Sequence, residues 1–336
     1  MGRRQLVLDV LDGKETDSVP VGFWFHFLQG EDLIKGLSDP TVVERNIQGH
    51  LDFVRAFQPD IVKIMSDGFF LYPNQSLSHV RSAKDLYQAK SIGEDHPWIT
   101  RQIDLVRRLT SAFGNESFTL YNIFGPATTL RFLLEDLYGD GTKSLASYIL
   151  EDKKAVAHAL SVIAADLAVL AQAVVVQGKA DGIYLSVQAV QDQNINEQLY
   201  KEIIEPAETF VLEKANETSR YNVLHICGYQ NSRNNLASYR DYPATAVNWA
   251  VTVEQVSLKE GKRLFPGKTV IGGFSNTEEG ILFSGTKQEI QKYTHAILEG
   301  IGHEGVILGA DCTIPPHTDL EHLNWVRDAV KTYIGE

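Results

Sequence analysis

The sequence predicts an α/β fold, a (β/α)8 barrel forming a single domain over residues 1–336. Three observations carry this expectation: eight short runs of β-branched and aromatic residues, longer stretches of helical period between them, and no Pro/Gly/Ser-rich linker to divide the series. With 336 residues, 43% of them hydrophobic and 22% charged, the chain can bury one large core.

The strands are expected in order at Val19–Phe25, where two valines precede Phe23-Trp24-Phe25, and at Asp60–Met65, built on Ile61-Val62. They continue at Phe118–Phe124, Gly182–Val187, Val223–Cys227, Thr245–Trp249, Thr269–Phe274 and Gly305–Ala310, each a run of five to seven residues rich in Val, Ile, Leu, Phe or Tyr. Helical period fills Pro40–Phe57, Ala127–Tyr138, Lys153–Gln177, Glu197–Thr218, Val253–Glu260, Thr286–Glu299 and Asp319–Tyr333. The segment Asn74–Thr110 is less regular and reads as an elaboration near the second strand.

A formal net charge of -12 with no Lys/Arg cluster disfavours nucleic acid and anionic membrane as partners. Residues 1–12 hold an apolar run too short for a signal peptide, and Leu6 breaks the myristoylation pattern that Gly2 begins. The apolar stretch Ala155–Val176 is interrupted by His158, Ser161, Asp166 and Gln172 and reads as a buried helix. A cytoplasmic, reducing location follows as the expectation, in which thiols serve as ligands or reagents more often than as disulfides.

The chain has two cysteines, and both lie at predicted strand ends: Cys227 in His225-Ile226-Cys227-Gly228 and Cys312 in Gly309-Ala310-Asp311-Cys312. Residues two apart on a strand share a face, so His225 and Cys227 can hold one ion together. Cys312 would complete a Cys2His set, the pattern of a catalytic zinc with one position open. Two free buried thiols beside a core histidine, or a disulfide, are the competing readings. Also at strand ends are His26, Asp67, Asn122 and Gln188. His26 among aromatics is a substrate contact or a core histidine, and Asp67 before Gly68 is a pocket residue or a turn cap. Tyr184 and Gln188 share one strand face with Ser186.

Three other motifs carry less. Gly300–Gly305 spells G-x-G-x-x-G but runs from helix into strand, the reverse of a dinucleotide site. Gly267-Lys268-Thr269 lacks the first glycine of a P-loop, and His317, Glu321 and His322 do not have the H-E-x-x-H order. The sequons at Asn115 and Asn216 have no meaning without export.

Taken together, Val19-Pro20-Val21, Asp60–Lys63, Gly125-Pro126-Ala127, Ala180-Asp181-Gly182, Tyr200–Pro206, Leu224–Gly228 and Gly309–Pro315 resemble the uroporphyrinogen decarboxylase superfamily, and within it the zinc-dependent corrinoid methyltransferases. The resemblance runs over nearly the whole chain. It implies that His225, Cys227 and Cys312 are zinc ligands, matching one for one the H-x-C and distant Cys of that branch. The true decarboxylases carry a glutamine-glycine-arginine loop after the first strand, whereas Phe27-Leu28-Gln29-Gly30 stands here, so the arginines that would pair substrate carboxylates are absent. The branch often has an acidic fourth ligand at the end of the sixth strand. Asn248 occupies that place, so water or substrate is expected to hold the fourth position, and Asn248→Ala is expected to leave zinc binding nearly unchanged.

Zinc would keep a substrate thiol deprotonated for attack on a methyl group. The resemblance implies a methyl-corrinoid protein as donor and a small thiol such as coenzyme M or homocysteine as acceptor. No D-x-H-x-x-G corrinoid pattern occurs, so cobalamin would arrive on a partner. Two alternatives stand beside this: a decarboxylase-like lyase using Asp67 and Tyr184 on a less carboxylated substrate, and a non-catalytic barrel whose metal is closed by a fourth protein ligand. The oligomeric state is left open.

Overall fold

The structure, a computed structural model, describes residues 2–137, 143–188 and 194–334. Seven parallel strands form one sheet in chain order: β1 (Ile61–Ile64), β2 (Phe118–Phe124), β3 (Gly182–Val187), β4 (Val223–Ile226), β5 (Ala246–Trp249), β6 (Thr269–Phe274) and β7 (Val306–Ala310). Parallel neighbours need a crossover between them, and α-helices supply it except between β4 and β5, where two short 3-10 turns do. The sheet is covered on both faces, which is why the strands read as nearly unbroken apolar runs. These are the second to eighth expected strands, trimmed by at most a residue at either end.

The first expected strand is a correction. Val19–Phe25 makes one isolated parallel bridge, Val21 to Leu308 of β7. Gly22 N donates to Leu308 O at 2.9 Å and Leu308 N donates to Pro20 O at 2.9 Å. On the other side Asp60 N donates to Val21 O at 3.2 Å, while Val21 N is taken by the Asp60 carboxylate at 2.8 Å. Pro20 has no N–H to extend the ladder, and a side chain has captured the next donor. An extended segment, held on both sides, lies between β7 and β1 where an eighth strand was expected.

Helix starts follow local chemistry. Asp39 accepts from Thr41 N ahead of Pro40–Phe57, and Asp152 accepts from Lys154 N and Ala155 N ahead of Lys153–Val176. Lys153–Val176 is the one helix among the described residues long and apolar enough to cross a membrane, and more than half of that stretch is buried against its neighbours. Helices unread in the sequence include Arg3–Leu11, the short Leu145–Glu151, and Pro97–Phe113 within the stretch taken as irregular, where Pro97 opens the first turn. Three predicted helices are broken. Ala127–Tyr138 appears as Pro126–Arg131 followed by a wider π turn, Phe132–Leu137, and residue 138 falls outside the described residues. Glu197–Thr218 carries a π turn at Tyr200–Ile204 just before Pro206, which cannot donate to the preceding turn. Val253–Glu260 divides into Val251–Glu254 and Leu258–Leu264, because Gln255 turns left-handed at φ 55° and Ser257 caps a new start.

Alternation along the strands sorts side chains into two cores. Ile61, Met65, Leu120, Tyr184, Val223, Ala246, Ile271 and Ile307 form the inner cluster, closed at the strands' amino ends by Val7, Val10 and Leu11 of the first helix. The remaining apolar residues pack outward against the helices. Residues two further along the inward positions therefore reach the carboxyl-end mouth.

Candidate metal centre

His225 lies on β4 and Cys227 directly after it, in register with Ser186 of β3 on one side and Asn248 of β5 on the other. Cys227 N donates to Val187 O at 2.8 Å, which keeps the residue extended and on the inward face shared with His225. Cys312 follows β7. The preceding Asp311 is buried and accepts from Val251 N and Thr252 N at 3.0 Å each, tying the turn after β7 to the turn after β5.

Ligand atoms of the three residues lie within 4.8 Å of one another. His225 Nε2 is 3.4 Å from Cys312 Sγ, and the two sulfurs are 3.9 Å apart. Sulfurs at about 2.3 Å and an imidazole at about 2.0 Å from one tetrahedral ion would stand roughly 3.5 Å (N to S) and 3.8 Å (S to S) apart. The observed spacings fit that set. They do not fit a disulfide, whose sulfurs are about 2.05 Å apart, and both cysteines are free. Among the described residues no fourth His, Cys, Asp or Glu joins the cluster.

Asn248 decides which imidazole nitrogen faces the sulfurs. Its Nδ2 donates to Ile271 O at 2.8 Å and Ala310 O at 3.1 Å, so its Oδ1 points the other way. That oxygen lies 2.5 Å from His225 Nδ1 and 2.6 Å from Tyr184 Oη. An amide oxygen only accepts, so Nδ1 carries the proton and Nε2 keeps its lone pair toward Cys312. All four hydrogen-bonding positions of Asn248 are thus in use. Asn248 therefore lies behind His225 and not at a fourth ligand position, and from there the expectation becomes that zinc binding depends on it. Tyr184 is placed likewise. Its ring stacks on His225 with centroids 5.2 Å apart, and its hydroxyl is spent on Asn248, so it supports the histidine from behind.

Asp67 is fully buried and also has a positioning role. One carboxylate oxygen lies 2.8 Å from His26 Nδ1, and the other accepts from Phe27 N and Leu28 N at 2.8 and 3.2 Å. A carboxylate in this setting requires a proton on Nδ1, which leaves His26 Nε2 toward the mouth, where the side chain is 38% exposed. Asn122 bonds Ser66 and Ser186, and Gln188 bonds Arg131.

The sulfurs and His225 form the floor of a cavity of about 710 Å3 at the strands' carboxyl ends. Its walls are apolar: Leu33, Ile34, Met65, Phe70, Phe124 and Phe132, with the three phenylalanines packed edge to face. His26, Asn122, Ser186 and Gln188 also line it, whereas Asp67, Tyr184 and Asn248 do not. A buried lysine also lines it, a residue with no place in the sequence reading of the site. Lys63 of β1 is 5% exposed, and its ammonium sits 4.1 Å from the centroid of Tyr184. Burial pushes it down to about 8, against the pull of Cys312, Cys227 and Asp67. Ile61 and Met65, two residues away on either side, are the inward signal that would have found it. The thiols are perturbed in opposite directions. Cys312 is held down by the hydrogen bond from Cys227 and by His225 and Lys63, while that same bond and burial push Cys227 up.

The decoys lie elsewhere. Gly300–Gly305 joins a helix end to β7 at the opposite end of the sheet, Gly267-Lys268 turns into β6, and His322 stacks on Trp325 at the start of the last helix.

The family described as uroporphyrinogen decarboxylase (URO-D) matches residues 73–333. No curated protein matches the sequence. Among solved structures, a methyltransferase from Methanosarcina mazei is similar at TM-score 0.75 and 18% identity, over 99% of each chain. A B12-independent methionine synthase from Shewanella sp. W3-18-1, in complex with selenomethionine, gives 0.56 and 14%, over 94% of this chain and 98% of the other. A β-mannanase from the blue mussel Mytilus edulis gives 0.52 and 8%, over 92% of each. A mannanase among these neighbours shows that they fix the architecture and leave the chemistry to the site.

Proposed function

The chain belongs to the uroporphyrinogen decarboxylase family, and from that premise we propose that it is a zinc-dependent methyltransferase, moving a methyl group from a methyl-corrinoid or similar donor to a small thiol. One observation carries the reading: three zinc-type donor atoms converge, with no fourth protein ligand among the described residues, on the floor of an apolar cavity. His225 through Nε2, and Cys227 and Cys312 through sulfur, would hold the ion. Bound there, zinc would keep a thiol acceptor in its nucleophilic thiolate form.

The chain's own residues prepare that step. Asn248 and Tyr184 fix the tautomer and tilt of His225. Asp311 braces the turn that carries Cys312. The phenylalanine walls keep water from the reacting atoms and leave room for a methyl donor above the floor. The donor's corrinoid would come on a partner protein, and the whole chain would act as one domain. A lyase using Asp67 and Tyr184 gains no support, since neither side chain lines the cavity. A metal closed by a fourth protein ligand gains none either.

X-ray absorption of the zinc-loaded protein tests the reading. The sulfur count at zinc should be two, rising to three when the acceptor thiol is added. A count that stays at two with every thiol tried, homocysteine and coenzyme M included, would refute thiol activation.

A further inference from the structure

Lys63 is a buried cation with unused donors. Its side chain lies among the inward residues of β1, between Ile61 and Met65, and it lines the cavity together with His225, Cys227 and Cys312. Among the described residues its ammonium makes no hydrogen bond and no ion pair; its contacts are the faces of Tyr184, at 4.1 Å, and Trp24, at 5.4 Å. Burying a charge costs several kcal/mol unless something compensates it. Two aromatic faces offset part of that cost and leave the N–H donors without a protein acceptor among the described residues, facing the cavity.

The neighbouring charges do not supply one. Asp67, the carboxylate whose charge acts on Lys63, spends its oxygens on His26 Nδ1, Phe27 N and Leu28 N, and buried Asp60 accepts from Val21 N. Glu31, the one carboxylate lining the cavity, is exposed and pairs with Lys35 at 2.6 Å. Two thiolates and a neutral imidazole around a divalent ion sum to zero, so a loaded metal site leaves the lysine's charge in place. Lys63 and His225 both contact the ring of Tyr184, which is stacked on the imidazole. A molecule whose sulfur occupies the open position above the floor would therefore have Lys63 within the span of a short tail.

We propose that Lys63 is a specificity-determining residue that binds an oxyanion group, carboxylate or sulfonate, on the tail of the acceptor thiol. This rests on the thiol-methyltransferase reading above, and it adds which part of the acceptor the protein recognises and by what residue. Oxygen acceptors satisfy ammonium donors far better than sulfur does, so the tail is favoured over the thiolate as the partner of Lys63.

Binding to the cobalt(II)-loaded protein separates the two claims, because a thiol entering the metal shell adds a sulfur-to-cobalt charge-transfer band. The probes are 3-mercaptopropionate and its uncharged analogue 3-mercaptopropan-1-ol, titrated against native protein and against Lys63→Met, a substitution that keeps the stem and removes the charge. Native protein should bind the carboxylate about tenfold or more tightly than the alcohol, and Lys63→Met should lose that preference while binding the alcohol as before. Equal affinities in the native protein, which needs no variant to fold, would overturn the assignment and leave the thiol reading standing. A Lys63→Met chain that weakens both probes equally would also overturn it, since the lysine would then serve the charge of the metal shell. No charge-transfer band with either probe would bring down both.

Discussion

Replacing Asn248 with alanine removes four hydrogen bonds at once, and the structure says what each loss does. Ile271 O and Ala310 O lose their donor, and Tyr184 Oη and His225 Nδ1 lose their acceptor. Each buried donor left unsatisfied costs about 1–3 kcal/mol, so the two donors alone imply about 2–6 kcal/mol, a large part of the total stability of an ordinary domain. Metal affinity should fall as well, because nothing then holds the proton on Nδ1 and the lone pair on Nε2. Losses of an outer hydrogen-bond partner of this kind are typically about 10–100-fold in affinity. Asn248→Asp is the matched control. It keeps an oxygen toward His225 and Tyr184 but sets its other oxygen against the two carbonyls, so it should lose stability too while retaining more zinc affinity than the alanine variant. Urea unfolding of the metal-free proteins reads the first quantity, and zinc titration against a competing chelator reads the second. If Asn248→Ala matches native protein in both, the account of how His225 is oriented is wrong.

Cys227→Ser and Cys312→Ser should each abolish stoichiometric zinc, as read by elemental analysis of the purified protein; full occupancy in either would exclude that residue as a ligand. Glu208 supplies a pH test away from the site. It is fully buried with Tyr242 and Tyr200 donating to one oxygen at 2.7 and 2.9 Å, and burial, against those bonds, pushes its carboxyl up from 4.5 to about 7. The folded protein then keeps a proton that the unfolded chain releases, so its contribution to stability is fully present below pH 4.5 and is lost as pH rises through 7. At about 1.4 kcal/mol per pH unit the loss is about 3 kcal/mol. The unfolding free energies of native protein and Glu208→Gln should diverge by about that amount between pH 4.5 and 8, and parallel curves would refute it. Uroporphyrinogen should not be decarboxylated under anaerobic conditions, because no arginine lines the cavity among the described residues; formation of coproporphyrinogen at an ordinary rate would show otherwise.

Seven strands and the convergence of the His/Cys/Cys triplet were readable without coordinates because they rest on local periodicity. Parallel strands buried on both faces show as apolar runs, and a period of two places His225 and Cys227 on one side of β4 whatever surrounds it. Cys312 was readable because a second strand end offered a second thiol. The tertiary structure alone decided the rest, since those roles depend on neighbours distant in sequence. Asn248 takes its part from Tyr184, His225, Ile271 and Ala310, which come from four other segments of the chain, and an amide among apolar residues announces none of them. Asp60 turned an expected first strand into a single bridge by taking a donor 39 residues away. The place of Lys63 in the cavity follows from Ile61 and Met65 facing inward, and alternation says that two faces differ but only packing says which one is inside.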